Sequence, residues 1–221
     1  MAIKLKDFVE VEYTGRLKED SIIFDTTSEK IAKENGIFNE NADYGPVTIC
    51  IGQEHVLKGI DNALIGKGEG SEYKIELKPE QAFGNKDAKL IQLIPTSKFR
   101  QQKIQPMPGL RVNIDGVFGI IKTVSGGRTL VDFNHPLSGK ELSYDVKINK
   151  IVNDDTEKAR AYLKLAFGIK GCEIEIKEGN ARITIKKELN KKTKDDLNKK
   201  ITEVIPVIKE VEFVIEKEGK K

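Results

Sequence analysis

The sequence IGQEHVLKG at residues 51–59 carries the clearest structural signal in the chain. The β-rich run that precedes it, Val47–Ile51, stops at Gly52, as a strand does when it enters a tight turn. Apolar residues then recur at helical spacing, which predicts a short amphipathic helix with the apolar positions Val56, Ile60, Ala63 and Leu64. A strand, a turn and a short helix therefore follow one another.

Segments on both sides of this unit alternate between apolar and polar residues, which is typical of half-buried strands. These segments are 7–17, 71–78 and 141–152. Between the first strand and Val47, a Thr followed three residues later by a Glu predicts a capping box and a short helix that ends at a Gly. The residues concerned are Thr26, Glu29 and Gly36.

The segment from Asn85 to Asp132 has a different character. Two hairpin-like turns, Asp115-Gly116 and Gly126-Gly127, are flanked by β-branched and aromatic residues, which predicts a small β-rich module. Two roles stay open for its apolar residues, a core of the module itself or, for some of them, an apolar groove on its surface: Pro106, Met107, Pro108, Leu110, Ile114, Phe118 and Ile120.

The last part of the chain shows signals for a further unit. Asp154 and Glu157 predict the start of a helix that Gly168 ends. A hairpin around Gly179-Asn180, a helix opened by Thr193 and Asp196, and an alternating strand from Val211 to Ile215 follow. We therefore predict an α+β fold with three domains, which are 1–84 with 133–153, 85–132, and 154–221.

The composition of the chain argues against several classes of function. Charged residues make up 33% of the chain with a net charge of only +3, which argues against a dedicated nucleic-acid binder. No run is long and apolar enough for a membrane span or a signal peptide, and Cys50 and Cys172 fit reduced thiols, so we expect a cytoplasmic protein. The two His residues lack metal-ligand spacing, so we expect no metal or cofactor. Abundant Lys, Glu and Ile are typical of a thermophile.

Six short blocks occur in a fixed order: 11–17 (VEYTGRL), 24–27 (FDTT), 51–59, 66–70 (GKGEG), 79–84 (PEQAFG) and 142–146 (LSYDV). Together they resemble the FKBP family of peptidyl-prolyl cis/trans isomerases, over about the first 84 residues and 130–152. Residues 134–139 (NHPLSG) resemble the SlyD-like branch, in which a domain inserted in the flap binds unfolded clients.

The resemblance implies an FKBP-like antiparallel sheet wrapped on a short helix, and a peptidyl-prolyl isomerase without a cofactor. It implies the catalytic residues Tyr13, Asp25, Leu57, Phe83 and Tyr144, and the substrate-binding residues Phe24, Val47, Val56 and Ile60. In this assignment, the Tyr13 hydroxyl bonds to Asp25. The Leu57 backbone N–H, free at a helix start, holds a substrate carbonyl.

The chain departs from the family pattern at three points. Ile60 stands where the pocket floor is commonly Trp, and Phe83 replaces the usual Tyr, so that a hydroxyl donor is lost. The tail is rich in Lys and Glu, whereas SlyD-like proteins often carry a His-rich tail.

Simpler interpretations stand beside these assignments. Taken singly, Phe24, Val47, Val56 and Tyr144 fit ordinary core positions, and Asp25 fits a helix cap. We expect His55 to be solvated and His135 to orient a turn.

Two functions remain open: an isomerase whose insert adds chaperone activity, and a non-catalytic chaperone or assembly module with an idle pocket. A nucleic-acid function rests only on a sequence pI near 8.6. The expected partners are unfolded or proline-containing polypeptides, with a homodimer formed through the C-terminal domain because its sheet has open edges.

Overall fold

A computed structural model describes residues 2–186 and 188–216, and the last part of the Lys/Glu-rich tail lies outside the described residues. The fold is mixed α+β, as predicted. The strands are β1 (Phe8–Leu17), β2 (Ile23–Thr26), β3 (Val47–Cys50), β4 (Glu72–Leu77), β5 (Ile91–Pro95), β6 (Arg111–Ile114), β7 (Val117–Ser125), β8 (Arg128–Asp132), β9 (Leu142–Val152), β10 (Glu173–Lys177), β11 (Asn180–Ile185) and β12 (Glu210–Ile215). The α-helices are α1 (Glu29–Glu34), α2 (Lys58–Leu64), α3 (Thr96–Gln101), α4 (Asp155–Phe167) and α5 (Lys191–Val204).

The chain divides into two compact units, residues 1–77 with 142–221 and residues 78–141. The second unit is wider than the insert predicted at 85–132, and the C-terminal segment belongs to the first unit. The division into three domains with separate functions stays a prediction.

The main sheet of the first unit has the order β2-β1-β9-β4, with all neighbours antiparallel. Strand β3 pairs with β1 over Phe8–Val11, and β2 pairs with β1 over Thr14–Arg16, so both lie along one edge of β1. Helix α2 packs near β4 and buries Ile60 and Leu64. This is the sheet and short helix that the resemblance implies.

Two helix starts differ from the sequence predictions. The N-cap of α1 is Ser28, whose Oγ accepts from the Ile31 N–H at 3.4 Å; Thr26 belongs to β2, and its hydroxyl pairs with that of Thr14 at 2.8 Å. The N-cap of α5 is Asn190, whose Oδ1 accepts from the Thr193 N–H at 2.8 Å. In both cases a nearer polar side chain satisfies the first free N–H groups.

The second unit contains a sheet of the order β5-β8-β7-β6 and helix α3, which the sequence did not predict. Its core consists of Phe99, Val112, Ile121 and Val131, with Leu110 and Ile114 packed against it. Of the two roles left open for Met107 and Phe118, the structure excludes the core, because these side chains are 54% and 75% exposed.

The C-terminal segment forms a sheet of order β10-β11-β12, in which β12 runs parallel to β11. Helices α4 and α5 pack on this sheet in one hydrophobic cluster with the buried strand residues Ile174, Ile183 and Ile185. The same cluster includes three residues of the main sheet, Phe8, Cys50 and Val152.

These three residues are cross-strand neighbours in the register of β3, β1 and β9, so they share one face of the main sheet. The C-terminal segment and the main sheet therefore form one continuous core. No helix among the described residues is long and apolar enough to cross a membrane.

Candidate active site

Three aromatic side chains meet on the main sheet. The ring centroid of Tyr144, on β9, lies 5.9 Å from that of Tyr13 on β1 and 5.9 Å from that of Phe24 on β2. The Phe24 and Tyr144 rings are nearly perpendicular, at 83°, which is a favourable edge-to-face arrangement. Strand pairing thus brings together residues that are far apart in sequence.

Gly15 makes room for this cluster. It lies opposite Tyr144 in the β1–β9 register, and a Cβ at this position would stand 2.6 Å from two atoms of the Tyr144 ring. Such a distance is well inside van der Waals contact. A glycine is therefore required here by the neighbouring ring.

Asp25 places a carboxylate beside the aromatic rings. Its Oδ2 accepts a hydrogen bond from the Tyr144 hydroxyl at 3.5 Å, so the donor is Tyr144 and not Tyr13 as expected from the resemblance. Burial raises the pKa of Asp25, although hydrogen bonds from Tyr144 and the Thr26 backbone lower it. Burial, followed by the charge of Asp25, raises the pKa of Tyr13 to about 12. Burial, followed by the charge of Asp25, also raises the pKa of Tyr144, so both tyrosines stay protonated at neutral pH.

A cavity of ≈ 340 Å³ lies next to these residues. Four of the predicted site residues line it: Tyr13, Phe24, Asp25 and Val47. Helix α4 contributes Lys164 and Leu165 to the same lining. The lining thus mixes apolar side chains with the half-buried carboxylate of Asp25, and the C-terminal segment supplies part of it.

The predicted residues Val56, Leu57 and Ile60 lie at the start of α2. Leu57 is the N-cap, and its C=O accepts from the Ile60 N–H at 2.8 Å and the Asp61 N–H at 3.0 Å. Among the described residues, none accepts a hydrogen bond from the Leu57 N–H. Ile60 is buried and Val56 half-buried, and the described lining of the ≈ 340 Å³ cavity does not include these three residues.

Asp61 holds the loop that carries Leu57, a role that the sequence analysis missed. This buried carboxylate accepts from the Gly52 N–H at 2.9 Å and the Glu54 N–H at 3.2 Å, both through Oδ2. An acidic residue in the first turn of a helix is a recognisable signal, but only the folded loop shows which donors it serves.

Comparisons with known proteins agree with this geometry. Residues 1–105 match the family described as FKBP-type peptidyl-prolyl cis-trans isomerase, and residues 92–137 match the family described as FKBP26, IF domain. The short-type peptidyl-prolyl cis-trans isomerase of Methanocaldococcus jannaschii is 33% identical over 155 residues, which cover 70% of this chain and 98% of that protein.

The chain belongs to the FKBP-type peptidyl-prolyl cis-trans isomerase family. A probable FKBP-type 16 kDa isomerase of Pseudomonas fluorescens is 33% identical over 52% of this chain and 79% of that protein. The SlyD isomerase of Pasteurella multocida is 29% identical over 54% of this chain and 62% of that protein. The SlyD-like resemblance is thereby supported, and an enzyme is favoured over an idle module.

In this FKBP-type isomerase, Phe83 belongs to the second compact unit, whereas the three residues of the aromatic cluster belong to the first. Its ring stacks on His135 with centroids 4.4 Å apart and planes at 7°. The Phe83 C=O accepts from the Ser138 hydroxyl at 3.0 Å, and His135 Nδ1 accepts from the Leu137 N–H at 3.2 Å. His135 therefore orients the turn, as expected.

His55 is not solvated as predicted. Its Nδ1 accepts from the Cys50 N–H at 3.1 Å, its Nε2 is buried, and its ring lies 5.3 Å from that of Tyr162 on α4. Burial lowers the pKa of His55, partly opposed by Asp61. The cause of the difference is α4, which covers this loop.

Proposed function

We propose that this isomerase rotates the prolyl bond of its substrate in the cavity lined by Tyr13, Phe24, Asp25 and Val47, with Tyr144 supporting that lining through its contacts with Tyr13, Phe24 and Asp25. Rotation has a barrier of about 18–20 kcal/mol because it breaks amide resonance, and uncatalysed exchange takes tens to hundreds of seconds. A twisted amide is less polar at its carbonyl oxygen than a planar one. A dry aromatic site therefore favours the twisted form, without a nucleophile or a proton transfer.

Substrate positioning is assigned to the start of α2. The Leu57 N–H has no acceptor among the described residues and is available to a substrate carbonyl, which fixes the register of the bound peptide. The remaining proposed residues are Phe83, which is assigned to catalysis, and Val56 and Ile60, which are assigned to substrate binding. The observation that carries the proposal is the meeting of Tyr13, Phe24 and Tyr144 beside the half-buried carboxylate of Asp25.

Isomerisation of a proline tetrapeptide tests this site. We expect Asp25→Leu and Phe83→Ala each to lower kcat/KM while the proteins stay folded by circular dichroism. Asp196→Leu, at an exposed position on α5, is the control and keeps wild-type turnover. Full activity in both folded site variants means that the assigned residues are not the catalytic ones.

We also propose that the insert binds unfolded chains and so adds chaperone activity to proline-limited folding. Its exposed apolar side chains carry this proposal: Leu93, Met107, Val117 and Phe118 are 53–75% exposed. Large apolar side chains on a surface are typical of interaction sites. A client held by the insert stays near the isomerase site at a raised effective concentration.

Two kinds of substrate separate this role from catalysis. Replacing 85–132 by a short linker, or the double change Met107→Ser with Phe118→Ser, is expected to spare tetrapeptide turnover and to reduce catalysed refolding of a protein. Arg111→Ser with Lys122→Ser is the matched control, since both residues are exposed polar positions of the same unit. Equal losses on both substrates assign the insert to fold support instead.

Homodimerisation through the C-terminal segment is a further proposal. Helices α4 and α5 cover the apolar face of the β10-β11-β12 sheet, so its outer strands β10 and β12 are left as pairing edges. Ile215, on β12, is 44% exposed. Sedimentation equilibrium at micromolar concentration is expected to give a dimer that Ile215→Lys weakens, and a wild-type monomer contradicts the proposal.

A further inference from the structure

Helix α4 follows the main sheet after a very short connection. Strand β9 ends at Val152 and α4 begins at Asp155, with Asp154 as its N-cap accepting from the Glu157 N–H at 2.7 Å. The helix therefore starts beside the sheet that carries the aromatic cluster.

The helix is fixed there by its buried face. Tyr162 and Leu163 are buried in the hydrophobic cluster that also contains Phe8 and Cys50 of the main sheet. The Tyr162 hydroxyl donates to Gln53 Oε1 at 3.4 Å, in the loop before α2. Because these contacts are part of one core, α4 has a defined position on the isomerase.

The opposite side of the same turn of helix reaches the catalytic cavity. Lys164 and Leu165 line it together with Asp25 and Tyr13. Lys164 Nζ lies 2.9 Å from Asp43 Oδ2, and Lys170 Nζ lies 2.8 Å from the same oxygen. These two ammonium groups lower the pKa of Asp43 to about 2. The loop that carries Asp43 is another wall of the cavity.

The positive charge in the cavity lining comes from helix α4. Of the described side chains that line the cavity, the acidic ones are Asp25 and Asp43, and Lys164 is the cationic one. The Lys164 side chain is 42% exposed, so a bound peptide can approach it. Without the charge of Lys164, the lining holds two carboxylates and no cationic side chain among the described residues, because Lys170 lies outside the lining.

We propose that the C-terminal segment is part of the substrate site, and that Lys164 selects among proline-containing peptides by the charge of the residues next to proline. Lys164 favours an acidic neighbour and disfavours a basic one. Leu165 and the Lys164–Asp43–Lys170 bridge set the shape of that wall. The inference rests on the catalytic cavity proposed above, and it gives the C-terminal segment a role in specificity that does not require a second subunit.

Charge-matched substrates test the inference on the full-length protein. Four tetrapeptides carry Glu or Lys directly before or directly after proline, and kcat/KM is measured for each. We expect Lys164→Glu to raise the ratio of Lys-peptide to Glu-peptide turnover by about threefold to tenfold in at least one position, in line with partly screened ion pairs. Lys164→Gln is expected to shift the ratio in the same direction by less.

The control is Arg160, which is exposed on the same helix one turn earlier. Arg160→Glu and Arg160→Gln change the net charge equally and are expected to leave the ratio within twofold of wild type. An unchanged ratio in both Lys164 variants overturns the inference, and so does an equal shift in the Arg160 variants, because the effect is then general electrostatics.

Asp25→Leu in the same assay separates the catalytic assignment of the cavity from the specificity role of Lys164. If Asp25→Leu abolishes turnover but the Lys164 variants keep wild-type selectivity, the cavity is catalytic and α4 takes no part in selection. If Asp25→Leu retains full turnover, the catalytic assignment itself is wrong, and the specificity role falls with it. Raised salt is expected to reduce the Lys164 effect.

Discussion

Gly15 and Tyr144 show how closely the site is packed at the level of single residues. Gly15→Ala brings a methyl group to 2.6 Å from the Tyr144 ring, and overpacking of this kind costs about 1–3 kcal/mol. We expect a free energy of unfolding lower by that amount, together with reduced peptide turnover because Tyr144 must move.

Gly68→Ala is the matched control, since nothing lies within 4 Å of a Cβ built there. Urea denaturation and the tetrapeptide assay give both quantities. Equal behaviour of the two variants contradicts the steric role of Gly15.

Ionisation of Asp25 lowers the free energy of unfolding in a pH-dependent way. Because burial raises its pKa in the folded state, the folded protein binds this proton more tightly than the unfolded chain. Its contribution to stability therefore falls as pH rises from the ordinary Asp value of about 3.9 through the raised value. We expect Asp25→Asn to increase the free energy of unfolding at pH 7 and to lose this advantage at acidic pH.

Urea denaturation of both proteins between about pH 3.5 and pH 7.5 measures this difference, around the ordinary Asp value. Asp196→Asn, at an exposed position, is the control and should differ little from wild type across the range. A benefit of Asp25→Asn that does not change with pH contradicts the assignment.

The loop before α2 is an element whose shape depends on one side chain. Asp61→Ala removes the acceptor of the Gly52 and Glu54 N–H groups, and unsatisfied buried groups cost about 1–3 kcal/mol. We expect lower stability and a fall in kcat/KM, because Leu57 follows directly after this loop. Asp61→Asn keeps one acceptor oxygen and should recover part of both.

Activity in Asp61→Ala is best measured well below its melting temperature. If the folded variant retains full kcat/KM, the loop does not need this carboxylate to present the Leu57 N–H. Loss of activity without recovery in Asp61→Asn points instead to the charge itself.

Much of the element structure follows from local signals, and its exceptions have physical causes. Alternation predicted β1, β4 and β9, and the Asp154 and Gly168 signals predicted α4. The N-caps of α1 and α5 were misplaced because several polar residues stand near each helix start, and local sequence does not rank them. Helix α3 was not predicted, because its six residues form less than two turns and so show too little helical periodicity.

The site was predictable only through the resemblance, since strand register determines which residues meet. Tyr144 and Asp25 are joined across β1 by pairing that no local pattern encodes. The contribution of Lys164 was likewise outside the prediction. The sequence does contain a signal for the face of the main sheet that the C-terminal segment covers. Two apolar residues in a row indicate that a strand is buried on both faces, and such pairs are Phe8-Val9, Ile49-Cys50 and Ile151-Val152.

At the scale of the whole molecule, the shared core predicts cooperative unfolding. A chain that stops at Asn153 uncovers Phe8, Cys50 and Val152, which the C-terminal segment buries. Losing a cluster of this size costs several kcal/mol at about 25 cal/mol per Å² of apolar surface. We expect residues 1–153 to melt well below the full chain.

Differential scanning calorimetry of both proteins measures this. A truncated chain as stable as the full chain shows that the two segments fold independently. In the full chain, the main sheet and the β10-β11-β12 sheet are expected to melt in one transition.

The position of β9 has a consequence for synthesis on the ribosome. This strand pairs with both β1 and β4, yet it is translated after the whole unit 78–141. Among the described residues, the β5-β8-β7-β6 sheet pairs only within itself, and chains fold as they emerge at about 5–20 residues per second. The nascent insert can therefore fold before the isomerase sheet receives its central strand, so the apolar surface proposed to hold clients is built ahead of the site that acts on them.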